Sequence, residues 1–323
     1  MSDTAGRILV TGGAGFIGSV VTARLLESGH DVTVLDDLST GFRDAVPDGA
    51  KFVEGRVHEA GRVLDASYSA VVHLAAFAEV GESVHAPERY WWNNTLGTFA
   101  LLEAMRRTGV RVLVFSSTCA VYGEPRGMPI TEETPTLPIN PYGSSKLAAD
   151  RMIGDECVAH GLAAVSLRYF NVAGSYGEHG ERHRPESHVI PLMLQVALGR
   201  RGTMSVYGND YPTDDGTCVR DYVHVVDIAQ AHHRALRAAS AGRHLVCNLG
   251  SGTGHSVRQV LEAARDVTGH PIPSRDEPRR EGDPAVLVAS ADRARRELGW
   301  DPERPGLRRM VRDAWDFARS HHA

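Results

Sequence analysis

Short apolar runs alternate with amphipathic helical patterns over residues 1–171. Residues 7–11 predict a buried strand, and the next segment places Val20, Val21 and Leu25 on one face of a helix. Regular alternation of strands and helices is typical of a doubly wound α/β fold with a parallel sheet. The predicted strands are 7–11, 31–35, 70–75, 111–115 and 163–170, and the predicted helices are 87–107 and one that carries Tyr142.

The pattern changes after residue 171. Gly, His, Arg and Pro dominate residues 174–188, which predicts a long functional loop. A helix is predicted at 190–198, a strand returning to the first domain at 220–225, and two further helices at 257–268 and 306–319. We therefore predict a first domain of residues 1–171 joined by 221–250. Residues 172–220 and 251–323 form a smaller α/β C-terminal domain that we expect to bind substrate.

Charge and composition narrow the function classes. The net charge of −5 and the absence of a basic stripe argue against nucleic acid or an acidic membrane surface as partners. No apolar run reaches the ~18 residues of a membrane helix, and strand 1 begins too near Met1 for a signal peptide. Four cysteines without C-x-x-C spacing indicate reduced thiols, so we expect a cytoplasmic protein. No histidine cluster has metal-ligand spacing, so no metal site is predicted.

Glycines mark a predicted phosphate-binding turn between the first strand and the first helix. Gly12, Gly15 and Gly18 allow a tight turn, a close approach to a diphosphate, and close packing of helix on strand. Asp36 follows Gly18 by 18 residues, near the place where a carboxylate binds the adenosine ribose. Asp37 comes next and would repel a 2′-phosphate. The sequence therefore predicts a Rossmann domain that binds NAD rather than NADP.

A tyrosine and a lysine lie four residues apart in the predicted helix that begins near residue 142. A helix places Tyr142 and Lys146 on one face, and a nearby lysine cation is expected to lower the phenol pKa. Residues 116–118 follow the predicted strand 111–115, and site residues cluster at such strand ends. The pattern predicts a tyrosine general base assisted by the hydroxyl of Thr118.

With these features the chain resembles the extended short-chain dehydrogenases. Further segments resemble the UDP-galactose 4-epimerase family, and the similarity runs from the first strand to the C-terminal helix. The stretch from Gly208 to His224 is highly specific for that family. The matching segments are 11–19 (TGGAGFIGS), 80–83 (VGES), 167–171 (LRYFN), 207–213 (YGNDYPT) and 279–283 (RREGD).

The resemblance implies NAD-dependent inversion at C4 of UDP-glucose and UDP-galactose through a transient 4-keto sugar, in a homodimer. It implies that the catalytic residues are Tyr142, Lys146 and Thr118. The implied cofactor-binding residues are Gly12, Gly15, Phe16, Ile17, Gly18, Asp36, Asp37, Leu38, Ser39, Arg56, Val57, Leu74, Ala75, Ala76, Asn93, Tyr142, Lys146 and Phe170. The implied substrate-binding residues are Thr118, Tyr142, Asn171, His188, Tyr207, Arg220, Leu287, Arg280 and Asp283.

Three residues depart from, or vary within, the family pattern. Arg56 stands where the family commonly has an aspartate facing the adenine, and Ala78 where many members have a lysine. We therefore expect NAD to be held less tightly than is usual for the family. Leu287 stands where members restricted to UDP-glucose and UDP-galactose tend to carry tyrosine. A smaller residue there implies slow turnover of UDP-N-acetylglucosamine.

Alternative functions share this fold. Sugar nucleotide dehydratases place an acid and a base after the equivalent threonine, whereas Cys119 and Ala120 follow Thr118 here, which disfavours dehydration. A UDP-glucuronate 4-epimerase and a UDP-N-acetylglucosamine 4-epimerase stay open as alternatives. A non-catalytic NAD-binding regulator is disfavoured because Thr118, Tyr142 and Lys146 are all present.

Overall fold

A computed structural model describes residues 6–183, 185–280 and 283–321 of the chain. Glu281 and Gly282 of the segment 279–283 lie outside the described residues. The strands are β1 Arg7–Thr11, β2 Asp31–Asp36, β3 Lys51–Glu54, β4 Tyr68–His73, β5 Val112–Thr118, β6 Ala163–Tyr169, β7 Asn171–Ala173, β8 Ser175–Tyr176, β9 His179–Gly180, β10 Met204–Tyr207, β11 Val219–His224, β12 His244–Leu249, β13 Gly254–Ser256, β14 Ser274–Glu277 and β15 Val286–Leu287.

The helices lie between these strands. They are α1 Phe16–Glu27, α2 Val80–His85, α3 Pro87–Tyr90, α4 Gly97–Thr108, α5 Pro141–His160, α6 Val189–Ala197, α7 Val225–Ala238, α8 Val257–Thr268, α9 Asp292–Leu298 and α10 Leu307–Ser320. Three short 3₁₀ turns cover Arg43–Ala45, Val57–Arg62 and Cys119–Tyr122. A π-helical turn, Trp91–Leu96, connects α3 to α4. Among the described residues, no helix has both the length and the apolarity needed to cross a membrane.

Seven parallel strands form the main sheet in the order β12-β6-β5-β4-β1-β2-β3. Successive side chains of a strand point to opposite faces, so Ile8 and Val10 join one hydrophobic core and Leu9 joins the other. The chain runs outward from β1 through β2 to β3 and then crosses to β4 on the other side of β1. Such a reversal opens a crevice outside the carboxyl ends of β1 and β4. The doubly wound α/β prediction is confirmed.

The second layer is built on β11, which pairs with β7, β13 and β15 rather than with the main sheet. The prediction that 220–225 returns to the first domain is therefore wrong, because this strand finds its hydrogen-bond partners in the smaller sheet. The chain returns only with α7, which packs on α1, and β12, which pairs with β6. A separate apolar core joins α6, α8 and α10. The proposed division into two domains stays a prediction.

Two element boundaries differ from the sequence prediction. Residues 116–118 belong to β5, because their backbone continues the parallel pairing with β6 as far as Thr118 opposite Tyr169. The predicted helix 87–107 is present in the same region but is broken by the π-helical turn. Such turns often occur at functional sites, and this one carries Asn93, whose side chain reaches the cavity described below.

Helix α5 begins and ends with well-defined caps. Asn140 accepts a hydrogen bond from the Gly143 backbone N–H at 2.8 Å, and Pro141 occupies the first helical position. Gly161 ends the helix in the left-handed conformation that glycine tolerates best. These caps place Tyr142 in the first turn and Lys146 one turn later, facing the carboxyl end of β5.

Candidate active site

A cavity of about 460 Å³ lies at the carboxyl ends of the central strands. Residues from the main sheet line one part of it, and residues from the second layer line the other. Most of the residues predicted for the site meet here. They are Gly12, Gly15, Phe16, Ile17, Gly18, Asp36, Asp37, Ser39, Val57, Leu74, Ala75, Ala76, Asn93, Thr118, Tyr142, Lys146, Phe170, Asn171, His188, Asp283 and Leu287.

The remaining predicted residues do not line the cavity, and their roles stay predictions. Leu38 sits in a turn at positive φ, donates its N–H to Asp36 and packs on the hydrophobic core. Arg56 extends toward Asp37 on the outside. Arg280 lies over the ring of Tyr207 at 4.0 Å in a cation–π contact. Arg220 is ion-paired with Asp283 and lies opposite Leu287 in the small sheet, and both of these partners line the cavity.

The glycine turn after β1 has the geometry of a phosphate cradle. Gly12 has a φ of 75°, and a Cβ there would lie 2.5 Å from the Ala75 backbone nitrogen. A Cβ on Gly18 would lie 2.0 Å from the Gly12 carbonyl oxygen, so neither position admits a side chain. Helix α1 begins at this turn without a side-chain cap or an acidic residue in its first turn. Its N-terminal N–H groups therefore remain available for an anion, which fits a dinucleotide diphosphate.

Two carboxylates stand at the end of β2. Asp36 accepts hydrogen bonds from the backbone N–H groups of Ala14 at 3.0 Å and Leu38 at 2.9 Å. Burial raises the pKa of Asp36, and these hydrogen bonds oppose that rise. Asp37 is 3.9 Å from Arg56, so Arg56 partly balances an acidic pair instead of leaving the adenine end purely negative. The expectation of weaker NAD binding stays a prediction.

Thr118 and Tyr142 form the reactive end of the cavity. Thr118 is 6% exposed, and its Oγ1 accepts the Ala120 backbone N–H at 3.1 Å. Burial raises the pKa of Tyr142, while a hydrogen bond with the Thr118 side chain lowers it. Electrostatic interactions with Tyr169, Cys119 and Glu79 add to the rise. The expected lowering of the phenol pKa is therefore not found in the protein alone, because desolvation outweighs the threonine contact.

Lys146 points between β5 and the cavity. Its Nζ donates a hydrogen bond to the Ser116 carbonyl oxygen at 2.9 Å and lies 4.8 Å from the centre of the Phe115 ring. Burial lowers the pKa of Lys146 to about 7, and Asp150 one turn later partly opposes this. The Ser116 carbonyl therefore positions the Lys146 ammonium, and the Tyr142 phenol does not. Lys146 and Tyr142 nevertheless line the same cavity.

A buried ion pair supports helix α5 from behind. Asp150 accepts hydrogen bonds from Arg168 at 3.0 Å and from Ser117 at 3.0 Å. Arg168 also donates to the Tyr122 hydroxyl at 3.1 Å, and Tyr122 donates to Asn248 of β12 at 2.7 Å. These contacts connect the helix that carries Tyr142 and Lys146 to β5, β6 and β12.

Several cavity residues were missed from the sequence. Cys119 directly follows Thr118, and Tyr222 lies two residues after Arg220 in the stretch 208–224. Their proximity in sequence to Thr118 and Arg220 was the available signal. Burial raises the pKa of the Cys119 thiol to about 11. Tyr169, which also lines the cavity, lies within the segment 167–171, and Glu181 and His183 come from the predicted loop 174–188.

Known proteins resemble this chain over nearly its whole length. A curated UDP-glucose 4-epimerase of Streptomyces lividans is 58% identical, with the match covering 98% of this chain and 97% of that protein. The crystal structure of a UDP-glucose 4-epimerase from Brucella ovis in complex with NAD superposes with a TM-score of 0.92 at 43% identity, covering 97% of this chain and 98% of that one. A Bifidobacterium longum UDP-glucose 4-epimerase structure in complex with NAD+ and UDP gives 0.91 at 37% identity, covering 97% and 98%.

The sequence model of one protein family matches residues 8–250. This range includes the glycine turn, Thr118, Tyr142 and Lys146. The match covers the main sheet from β1 to β12. The chain therefore belongs to the NAD dependent epimerase/dehydratase family.

Proposed function

We propose that the chain catalyses NAD-dependent epimerisation at C4 of UDP-glucose and UDP-galactose through a transient 4-keto sugar. The observation that carries the proposal is that Thr118, Tyr142, Lys146 and the glycine turn all line one cavity. The curated relatives at 58% and 54% identity are UDP-glucose 4-epimerases, which supports this activity.

The glycine turn, Asp36 and Lys146 are the residues that would hold NAD. Gly12 and Gly18 keep side chains off the diphosphate, and Asp36 stands where a ribose hydroxyl would donate to it. NAD supplies, when bound, a reversible hydride acceptor for the sugar C4. The buried Lys146 ammonium lies beside the cavity, where it would donate hydrogen bonds to the nicotinamide ribose.

Thr118 and Tyr142 carry the proton transfer in this proposal. Because Thr118 Oγ1 already accepts the Ala120 N–H, its own proton is directed toward Tyr142 or a sugar oxygen. The Tyr142 oxygen takes the proton of the 4-hydroxyl during oxidation and returns it after the keto sugar has turned over. A threonine contact that stabilises the phenolate lowers the barrier to the first transfer.

The opposite end of the cavity is proposed to bind the nucleotide. Asp283 lines the cavity and is ion-paired with Arg220, and Arg280 lies nearby over Tyr207. Release of either guanidinium from its present partner would let it contact both oxygens of a phosphate. Asn171 and His188 line the same cavity. The structure with UDP bound at 37% identity supports a uridine nucleotide here.

Leu287 is expected to influence which UDP-sugars the cavity accepts. It lies in β15 opposite Arg220 of β11 and lines the same cavity as Tyr142. A leucine fills less space than a tyrosine and offers no hydroxyl, so the wall leaves room for a 2-acetamido group. We therefore propose slower turnover of UDP-N-acetylglucosamine beside the main activity.

A homodimer is part of the proposal. Trp92, Leu96 and Phe99 are 56%, 45% and 49% exposed along the helical stretch 91–108, and an apolar surface of this kind is typical of a contact between subunits. Light scattering should give about twice the 35.0 kDa of one chain. A mass of one chain at micromolar concentration would contradict the dimer.

A cytoplasmic location is also proposed. Cys119, Cys157, Cys218 and Cys247 are all free thiols, which suits a reducing compartment. Recovery of the native protein in a periplasmic or extracellular fraction would argue against it.

The activity is tested with purified protein and no added cofactor. We expect UDP-galactose to be converted to UDP-glucose, because NAD regenerated in each cycle need not be supplied. A parallel assay with saturating NAD measures how much cofactor was lost in purification, a loss that Arg56 and Ala78 are expected to increase. No conversion in either assay would contradict the proposal. Loss of water from the sugar would identify a dehydratase. Bound NAD without turnover would identify a non-catalytic regulator. Faster turnover of UDP-glucuronate than of UDP-galactose would identify a UDP-glucuronate 4-epimerase.

A further inference from the structure

A cluster of two carboxylates and two imidazoles lies in the loop before α6. Glu181, His183, Glu186 and His188 each offer one ligand atom, and these atoms lie within 4.8 Å of one another. The side chains of Glu181 and Glu186 are only 9% and 6% exposed. Spacing alone did not predict this cluster, because the loop has no helical or strand periodicity.

Short nitrogen–oxygen contacts connect the four side chains of the cluster. His188 Nδ1 lies 2.7 Å from Glu181 Oε1, and His183 Nδ1 lies 3.1 Å from the same oxygen. Glu186 Oε1 is 3.4 Å from His188 Nδ1. Four ligands bound tetrahedrally at about 2.0–2.1 Å would be separated by roughly 3.3 Å, which follows from standard zinc coordination. The observed separations approach this value without any rearrangement of the backbone.

The surrounding loop fixes the ligands. Glu186 accepts the backbone N–H groups of Ser187 at 2.9 Å and His188 at 2.8 Å. Arg182 points away from the cluster and is ion-paired with Asp44, so its guanidinium does not neutralise Glu181. The Glu181 and Glu186 carboxylates both lie close to His188, so a bound divalent cation would balance their negative charge.

We propose that Glu181, His183, Glu186 and His188 bind one divalent transition-metal ion of the zinc type. Imidazole nitrogen with carboxylate oxygen suits zinc better than magnesium or calcium, which prefer oxygen ligands alone. Four protein ligands close the coordination sphere, so the bound ion offers no open position for chemistry. The proposed site is therefore inhibitory rather than catalytic.

The location of the cluster determines the effect on activity. Glu181, His183 and His188 line the cavity that holds Tyr142 and Asn171. A metal ion that binds His188 withdraws it from the substrate contact proposed above and occupies the wall of the cavity. Zinc should therefore raise the KM for UDP-galactose while kcat stays nearly constant. This kinetic effect depends on the proposed function, whereas metal binding does not.

The experiment uses untagged holoenzyme and Zn²⁺ in equilibrium dialysis with metal analysis. We expect one Zn²⁺ per chain and no competition from millimolar Mg²⁺ or Ca²⁺. His183→Gln and Glu186→Gln should each weaken Zn²⁺ binding by at least about 100-fold. Even residues that only hydrogen-bond a metal ligand typically cost 10–100-fold in metal affinity when they are replaced. Glu186 does not line the cavity, so Glu186→Gln should keep its activity without metal, whereas His183→Gln is used only to measure metal binding. Melting temperatures measured with a chelator verify that they fold.

Two control variants test whether a carboxylate or a thiol outside the cluster binds the ion. Glu178→Gln makes the same charge change in the same loop, outside the cluster, and should bind Zn²⁺ normally. Cys119→Ser tests whether the cavity thiol binds the ion instead, and it should also bind normally. Unchanged affinity in both cluster variants, or loss of binding in either control, would overturn the site. Zinc binding that leaves the KM unchanged would overturn the inhibition.

Discussion

Replacing Tyr142 with phenylalanine is expected to lower kcat for UDP-galactose epimerisation by about 10²–10⁴-fold, the usual contribution of a positioned general base. The substitution removes only the hydroxyl that contacts Thr118, so the ring should continue to pack against Tyr90 at 6.3 Å. Because the lost interaction acts in the transition state, KM should change little. Coupled-assay kinetics on protein with a measured NAD content would check both constants.

Two companion variants make this result interpretable. Tyr176→Phe removes a hydroxyl that bonds Glu27 at 2.7 Å outside the cavity, and its kcat should equal that of the parent protein. Lys146→Ala should also lower turnover by orders of magnitude, since the buried ammonium and its bond to Ser116 are lost. Near-parental rates for both Tyr142→Phe and Lys146→Ala would exclude the proposed proton path.

Replacing Leu287 with tyrosine should abolish turnover of UDP-N-acetylglucosamine and spare UDP-galactose. In the parent protein we expect the acetylated sugar to be disfavoured by roughly 10- to 200-fold, because shape discrimination in an apolar pocket is worth only ~1–3 kcal/mol. A tyrosine ring at this position of β15 would fill the space beside the cavity where the acetamido group is expected. The measurement is the ratio of kcat/KM for the two substrates.

The matched variant here is Leu287→Met, which keeps an apolar side chain of similar volume. It should retain the parental ratio of the two substrates, since volume-conserving changes are tolerated best. Equal loss of both activities in Leu287→Tyr would show a general disturbance of the cavity. Absence of any parental activity toward the acetylated sugar would show that Leu287 does not set the limit.

Local sequence patterns were sufficient for five of the seven strands of the main sheet, all except β3 and β12, and for the residues of the reactive end. The alternation of buried strands with helices predicts β1, β2, β5 and β6, because Val, Ile and Leu runs buried on both faces are typical of parallel strands. Gly12 and Gly18 are predictable since only glycine fits their close backbone contacts. The spacing of Tyr142 and Lys146 places them on one helical face, and both line the cavity.

The remainder depends on contacts between distant segments. Arg220 is ion-paired with Asp283 and Arg280 lies over Tyr207, and spacing along the chain does not reveal either partner. Lys146 binds the Ser116 carbonyl, 30 residues earlier in the chain, so its distance from the phenol could not be read from the helix alone. Burial of Tyr142 likewise arises from tertiary packing and reverses the expected direction of its pKa shift.

The chain of contacts from Asp150 to Asn248 limits how the protein can be divided. A fragment ending at residue 171 would contain the glycine turn, Thr118, Tyr142 and Lys146, yet it would lack β12. Strand β6 would then become an exposed edge with Val165 and Leu167 on it, a structure prone to pair with other chains. Tyr122 would lose Asn248, its partner at 2.7 Å. The NAD-binding half therefore cannot be isolated by simple truncation, and any minimal version must retain residues from both ends of the sequence.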